Sequence, residues 1–340
     1  MVAAAAPGHV GDGDLQKIMT HSLPAAEVSV IVPVFNEEQV MPLLVDRLRS
    51  LQRALAPRRV QVLLIDDGSS DGTPALIDRA CAEAGFVGIH FSRNFGHQAA
   101  VTAGIDLATG AHLAVIDGDL QDPPELIPEM LALLDRERAD VAYGVRKHRK
   151  EHALKRLGYF AFYRLLAALS PLRIPLDSGD FCVMTSRVAD AIRSMPEHHR
   201  FVRGLRTYAG FKQVPFEYSR DARAEGEPKY TFSKLLQLAL DGIFSFSARP
   251  LQLSAYIGFV VSLASFCYAV SLIAWRVLTS NPIPGFATLG AGLFFLSGVQ
   301  LISLGILGEY VGRIHGETKR RPMYVIESIS RDDPAGTGRA

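Results

Sequence analysis

Residues 60–73, VQVLLIDDGSSDGT, set an apolar run of strand length, Val60 to Ile65, directly before an acidic turn, Asp66-Asp67-Gly68-Ser69. Helical periodicity resumes at Thr73 and continues to Ala84. The same order stands on either side of this stretch. Upstream, Val28 to Val34 (VSVIVPV) reads as a buried strand, followed by helical periodicity from Glu37 to Leu55. Downstream, a strand around Val87 to Phe91 precedes a helix from about His97 to Ala108, and a fourth strand, His112 to Ile116, ends in Asp117-Gly118-Asp119. This alternation predicts an α/β domain with a mostly parallel sheet. Ligands of such sheets bind beyond the carboxyl ends of the strands. Polar or acidic turns follow three of the four strands, so chemistry is expected there.

The last third of the chain has a different composition. The protein is 48% hydrophobic, high for a water-soluble enzyme, and the surplus is concentrated: no charge occurs between Arg249 and Arg276, or between Arg276 and Glu309. Both gaps exceed the roughly 20 residues that cross a hydrocarbon core of about 30 Å. Two spans are expected, Leu251 to Trp275 and about Gly285 to Gly308, joined through Asn281-Pro282-Ile283-Pro284-Gly285. Arg249 precedes the hairpin and Arg313, Lys319, Arg320 and Arg321 follow it, whereas the turn side carries only Arg276. The positive-inside rule places both hairpin ends in the cytoplasm.

The first 25 or so residues lack the basic start and apolar run of a signal peptide. The large domain is therefore expected to stay cytoplasmic. Lys and Arg total 36 against 35 Asp and Glu, a net charge of +1 that argues against a nucleic-acid binder working by bulk electrostatics. Basic residues nevertheless cluster between Arg146 and Arg164, where Glu151 is the only acid. From Glu151 to Leu169, apolar positions recur every three or four residues among Lys155, Arg156 and Arg164. That pattern suits a helix on a membrane surface or one packed on its own domain. Tyr230 to Phe246 is a second such segment. The three cysteines, Cys81, Cys182 and Cys267, have neither disulfide-framework nor zinc spacing.

Asp117-Gly118-Asp119 sets two carboxylates at the ligand edge of the sheet, with a glycine between them that would let a substrate approach. Hard cations such as Mg²⁺ bind one or two carboxylates together with substrate phosphates, and a departing nucleoside diphosphate needs that neutralisation. Asp71, in Asp71-Gly72-Thr73-Pro74, reads as a turn with a helix N-cap.

Four segments occur in order: Pro33-Val34-Phe35-Asn36-Glu37-Glu38, Asp66 to Thr73, Ser92-Arg93-Asn94-Phe95-Gly96-His97, and Asp117-Gly118-Asp119-Leu120-Gln121-Asp122-Pro123-Pro124-Glu125. Together they resemble the family 2 glycosyltransferases of GT-A fold over roughly Val28 to Arg321. The likeness is greatest to the polyprenyl-phosphate branch, which includes dolichol-phosphate mannose synthases and bactoprenol glucosyltransferases. The resemblance implies a nucleotide-sugar donor, a polyprenyl phosphate acceptor and Mg²⁺ or Mn²⁺. It implies that Pro33, Phe35, Glu37 and Asp67 hold the base and ribose with Arg93 and Gly96 nearby, and that Asp117, Asp119 and Gln121 hold the metal and diphosphate. Asp177-Ser178-Gly179-Asp180-Phe181 matches the acceptor segment, with Asp177 at the position of a proposed catalytic base and Asp180 as the runner-up. A phosphate monoester is already mostly dianionic at neutral pH, so Asp177 could equally orient the acceptor. By the same resemblance Arg146, Lys155 and Arg156 hold the lipid phosphate, Lys229 and Tyr230 close over the site, and Arg200 and Arg203 face the acceptor.

The expected architecture is a disordered stretch 1–26, a GT-A nucleotide-sugar-binding domain at 27–228 and an interfacial amphipathic helix at 229–248. A transmembrane hairpin at 249–312 and a cytoplasmic tail at 313–340 complete it, disordered after about Ser330. The inserted Asp180 and the two-span anchor favour the bacterial bactoprenol-linked enzymes of the inner membrane. Homo-oligomer formation is left open. A processive polysaccharide synthase should carry Gln-x-x-Arg-Trp, but the only tryptophan, Trp275, lies in a span. A nicotinamide enzyme should carry Gly-x-Gly-x-x-Gly where Pro33 to Glu37 stands. A non-catalytic nucleotide-sugar-binding membrane protein should have lost Asp119 or Asp177, and both are present.

Overall fold

The structure is a computed structural model that describes residues 26–146, 178–197, 200–218, 249–279, 285–319 and 321–332. The chain forms two compact units. One contains the described residues up to 218 together with 321–332, and the other contains two long helices.

The first unit is built on an eight-stranded sheet of order β7-β5-β6-β4-β1-β2-β3-β8. Strands β1 (Val28–Val34), β2 (Val60–Asp66), β3 (Phe86–Phe91) and β4 (His112–Val115) run parallel in the order β4-β1-β2-β3. All seven residues of β1 are buried, as befits a strand covered on both faces. Its one hydroxyl is satisfied there: Ser29 Oγ donates to Gln61 Oε1 at 2.7 Å and accepts from the Gly110 amide. Helix α1 (Met41–Leu55) buries Met41, Leu44, Val45, Leu48, Leu51 and Leu55, the stripe expected of a helix on a sheet. It begins four residues later than the periodicity predicts. Asn36 adopts φ +52°, and the Glu37 and Glu38 amides donate to Thr73 Oγ1 and Asp71 Oδ2 across the loop. Helix α2 (Thr73–Ala80) is correspondingly shorter than expected, and α3 (His97–Leu107) is buried along almost its whole length.

Beyond β4 the sheet becomes mixed. After a short 3₁₀ turn and α4 (Ile127–Glu137), β5 (Val141–Arg146) pairs antiparallel with β6 (Ser178–Thr185), which is itself antiparallel to β4. Helices α5 (Ser186–Arg193) and α6 (Val202–Tyr208) then lead to β7 (Gln213–Tyr218), parallel to β5. At the opposite edge β8 (Ile326–Arg331) pairs antiparallel with β3. The tail expected at 313–340 thus contains a strand of the sheet.

The second unit holds α7 (Arg249–Thr279) and α8 (Phe286–Thr318). Both carry apolar stretches long enough to cross a membrane, Arg249–Trp275 and Gly292–Thr318, with none of those windows buried. Large apolar side chains stand in the open along them, Phe294 at 79% exposure, an arrangement that aqueous solvent would penalise. The amphipathic segments Glu151–Leu169 and Tyr230–Phe246, the N-terminal 25 residues and residues 333–340 lie outside the described residues.

Candidate active site

The carboxyl ends of β1, β2, β3 and β4 face one edge of the sheet, and the loops leaving them are tied to one another. The Asp67 amide donates to the Val34 carbonyl, and the Asn36 amide donates to Ser69 Oγ while Asn36 Oδ1 accepts from the Ser70 amide. Asp71 accepts from the Thr73 amide at 3.0 Å, the turn expected of it, whereas the N-cap position of α2 is Gly72, with no side-chain cap bond. Asp67 is 4% exposed. Its Oδ1 accepts from the Phe95 amide at 2.7 Å, and both of its oxygens accept from the Gly96 amide at 3.0–3.1 Å. Burial pushes this carboxyl up from its ordinary value, against the two amides that stabilise its charge. The carboxylate is therefore taken up in holding loop 92–97. Gly96 sits there at φ +101°, a conformation open to glycine and strained for other residues.

That loop delivers His97, the first residue of α3, to the middle of a charged group. Its Nε2 lies 3.3 Å from Asp180 Oδ2 and 3.8 Å from Asp117 Oδ1. Asp180, on β6, also receives Nε of Arg203 at 2.7 Å and Nη2 at 3.2 Å, a two-pronged contact from α6, and Gln98 Nε2 at 3.4 Å. Burial alone would raise the Asp180 carboxyl, but the His97 bond and the Arg203 guanidinium hold it far below the ordinary carboxylate range. Partial loss of solvation likewise lowers the His97 imidazole, and the Asp180 bond and Asp117 charge outweigh it, so its pKa is raised. Asp117, a quarter exposed at 26%, is pushed up to about 6, chiefly by burial and further by Asp122, Asp180 and Asp119, with His97 opposing.

The turn after β4 is set by packing. Leu120 is buried at φ +59°, and the Gln121 amide donates to Asp119 Oδ1 at 3.1 Å. A Cβ on Gly118 would stand 2.8 Å from both the Pro33 carbonyl and Val34 Cγ1. The end of β1 thus leaves no room for a side chain between the two acids, whatever approaches them from outside. Asp122 is buried and accepts from the Tyr218 hydroxyl on β7.

Among the residues expected from sequence, Asp117, Asp180 and Arg203 come together around His97, with Asp119 and Gln121 on the turn after Asp117. Pro33 closes β1, Phe35 is 41% exposed beyond it, and Arg93 lies over the Phe95 ring at 3.9 Å. Arg200, expected to face the acceptor, has a buried guanidinium that donates to the Met195 carbonyl and lies 3.9 Å from Asp106 Oδ1, where it secures the α5–α6 connection. Asp180, expected as the alternative base, is engaged by Arg203 through two contacts and by His97, partners that favour its charged form. Asp177, Lys155, Arg156, Lys229, Tyr230 and the side chain of Arg146 lie outside the described residues. His97 and Gln98 are the functional candidates that sequence reasoning missed. The signal available was a polar pair at the start of an otherwise apolar helix.

Among the described residues no group of three or more His, Cys, Asp or Glu side chains is arranged around a cation position. Asp117 and Asp119 still fit Mg²⁺ or Mn²⁺ of the kind completed by substrate oxygens and water, which needs only one or two carboxylates. The crowding of acids around Asp117 is the kind of charge excess a cation relieves.

A mostly parallel sheet carrying paired carboxylates at its carboxyl edge is the GT-A arrangement of a glycosyltransferase. The family model for glycosyl transferase family 2 matches residues 29–193, and that for the GtrB C-terminal hairpin matches residues 249–314. An uncharacterized glycosyltransferase, YkcC of Bacillus subtilis, is 41% identical over 88% of this chain and 93% of its own length. The SfII prophage-derived bactoprenol glucosyl transferase of Shigella flexneri is 39% identical over 91% of this chain and 100% of its own. A solved structure, the mannosyltransferase PcManGT from Pyrobaculum calidifontis in complex with GDP-Man and Mn²⁺, aligns with a TM-score of 0.44 at 15% identity over 87% of this chain and 92% of that one. This chain belongs to glycosyl transferase family 2.

Proposed function

We propose that the enzyme transfers a hexosyl group, glucosyl in the first instance, from a nucleoside diphosphate sugar to a polyprenyl phosphate, with inversion, at the cytoplasmic face of a membrane. The observation that carries this reading is the meeting at His97 of the Asp117–Asp119 end of β4 with the Arg203–Asp180 pair. Binding groups suited to a diphosphate and to a second anion are neighbours there. Full-length similarity to the Shigella bactoprenol glucosyl transferase supports the acceptor and the sugar.

In this reading Pro33, Phe35 and Glu37 line the place of the base and ribose, Asp67 holds loop 92–97 behind them, and Arg93 borders the donor. Asp117 and Asp119, with Gln121, would hold the divalent cation, which when bound neutralises charge on the departing diphosphate. Arg203, 31% exposed, directs positive charge toward the acceptor phosphate, and Asp180 fixes the guanidinium's plane through two contacts. One acceptor oxygen forms the new bond at the anomeric carbon as the bond to the nucleoside diphosphate breaks on the opposite side. Positioning supplies much of the rate of such a displacement. Because the acceptor phosphate is already dianionic, Asp177, three residues before Asp180, orients it and is not needed to remove a proton.

The test is release of nucleoside diphosphate from UDP-glucose, GDP-mannose and related donors by the full-length protein, with and without a short-chain polyprenyl phosphate. Release that needs both the lipid phosphate and a divalent cation is expected. Equal release without the lipid, or undiminished release in excess chelator, would overturn the acceptor or the metal respectively.

A further inference from the structure

After the apolar helices the chain returns to the sheet unit at Arg321, and the first thing it does there is grip the loop that carries His97. The Tyr324 ring lies flat on Phe91, with centroids 5.2 Å apart and 8° between planes. Phe91 in turn meets Phe95 edge to face at 5.8 Å. The Tyr324 hydroxyl donates to Asp106 Oδ2 on α3 at 3.1 Å, and the Ser92 amide donates to the Val325 carbonyl at 3.0 Å. Loop 92–97 is thus held at its root by Val325, along its length through Phe91 and Phe95, and on the helix that follows it by Tyr324. From the other side Asp67 takes the Phe95 and Gly96 amides. None of the Tyr324 contacts is needed to complete the β8 ladder, which runs from Ile326 to Arg331.

We infer that Tyr324 is a positioning residue for the donor. Together with Val325 it clamps loop 92–97 in the conformation that receives the nucleoside diphosphate. The inference rests on the reading that this loop borders the nucleotide-sugar site. Without its outer support, a loop lacking regular secondary structure opens easily. A site that is competent only part of the time binds its ligand more weakly in proportion. Tyr324 thereby acts on affinity without touching the ligand.

The test uses the full-length protein in nanodiscs and two readouts. These are amide hydrogen exchange over residues 92–97, and the affinity for UDP or GDP in the presence of Mg²⁺. Tyr324→Ala should speed exchange across the loop and weaken nucleotide binding about tenfold, as a site competent a tenth of the time would, while kcat at saturating donor changes little. Tyr324→Phe, which keeps the stack and loses the Asp106 bond, should restore affinity to within about twofold of wild type. Ile329→Ala, on β8 opposite Ile89, should lower the melting temperature yet leave loop exchange and nucleotide affinity unchanged. Wild-type exchange in Tyr324→Ala, faster exchange with unchanged affinity, or an Ile329→Ala that weakens nucleotide binding equally would each overturn the inference. If the wild-type protein binds neither nucleotide, the nucleotide-sugar reading falls, and the exchange measurement still decides whether Tyr324 clamps the loop.

Discussion

Asp119 lies on a turn that its own Oδ1 helps to close through the Gln121 amide, and it sits outside the buried core. We predict that Asp119→Ala lowers transfer at least about 100-fold, as loss of a transition-state charge partner does, without shifting the melting temperature by more than a surface change would. Recovery of most activity in that variant would remove Asp119 from the diphosphate site. Asp180→Asn tests the opposite kind of role. The Arg203 fork would lose its anionic partner, and misplacement of such a group costs on the order of 100-fold. With Asp180 tied to Arg203 and His97 as an anion, the pH–rate profile of the variant should keep its acid limb, and loss of that limb would make Asp180 the titrating base. Asp177→Asn should retain a measurable rate that rises as the acceptor's second ionisation completes near ~6. A correctly folded variant inactive at every pH would return the base role to Asp177.

At the scale of elements, the β3–β8 edge contains a buried ionisable group that β8 completes. His90 on β3 has Nδ1 3.2 Å from Asp66 Oδ2 and Nε2 3.1 Å from Asp78 Oδ1 on α2, and Ser330 of β8 donates to Asp78. Burial lowers the His90 imidazole, but the Asp66 bond and the Asp78 charge more than offset this and raise its pKa. Its contribution to stability is therefore complete below the unfolded value of about 6.5 and is lost as pH rises through the folded one. Asp66 is shifted the other way: burial opposes the shift, while His90 and Ser69 lower its pKa. Its share is present above about 4 and lost as pH falls. The melting temperature should thus decline from about pH 6.5 upward in the wild type and less steeply in His90→Gln. Parallel slopes would show that the pair does not contribute. The strand that makes this contact was not legible in the sequence. Ile326-Glu-Ser-Ile-Ser-Arg331 is short and mostly polar, with only two apolar residues, and it takes strand geometry because β3 offers an unpaired edge.

For the whole molecule, the route of the chain bears on topology. The chain belongs to the sheet unit up to Tyr218 and again from Arg321, so both stretches lie on one side of any membrane crossed between them. From the basic residues that flank the hairpin, we predict a cytoplasmic sheet unit with Asn281 to Gly285 on the far side. A reporter fused to the C-terminus should read as cytoplasmic and one inserted at Asn281 as extracytoplasmic. The reverse result at either position would overturn the arrangement.

The sequence by itself determined the parallel centre of the sheet, the acidic turns at its carboxyl edge, and two helices long enough to span a bilayer. Each of these is written in local patterns: fully apolar runs of strand length, Asp-Gly turns directly after them, and uncharged stretches of more than 20 residues. The tertiary structure alone decided what those residues do to one another. Asp67 reaches the Phe95 and Gly96 amides, 28 and 29 residues away, and Arg203 closes on Asp180, 23 residues away. His97 joins Asp180 across 83 residues, and Tyr324 bonds Asp106 across 218. Such pairings depend on strand order and on which side chains the sheet brings face to face, and neither leaves a periodicity in the sequence. The glycine of Asp117-Gly118-Asp119 shows the difference at one position. Its presence was plain, but the reason for it, the Pro33 carbonyl packed against where a Cβ would stand, exists only once β1 and β4 lie side by side.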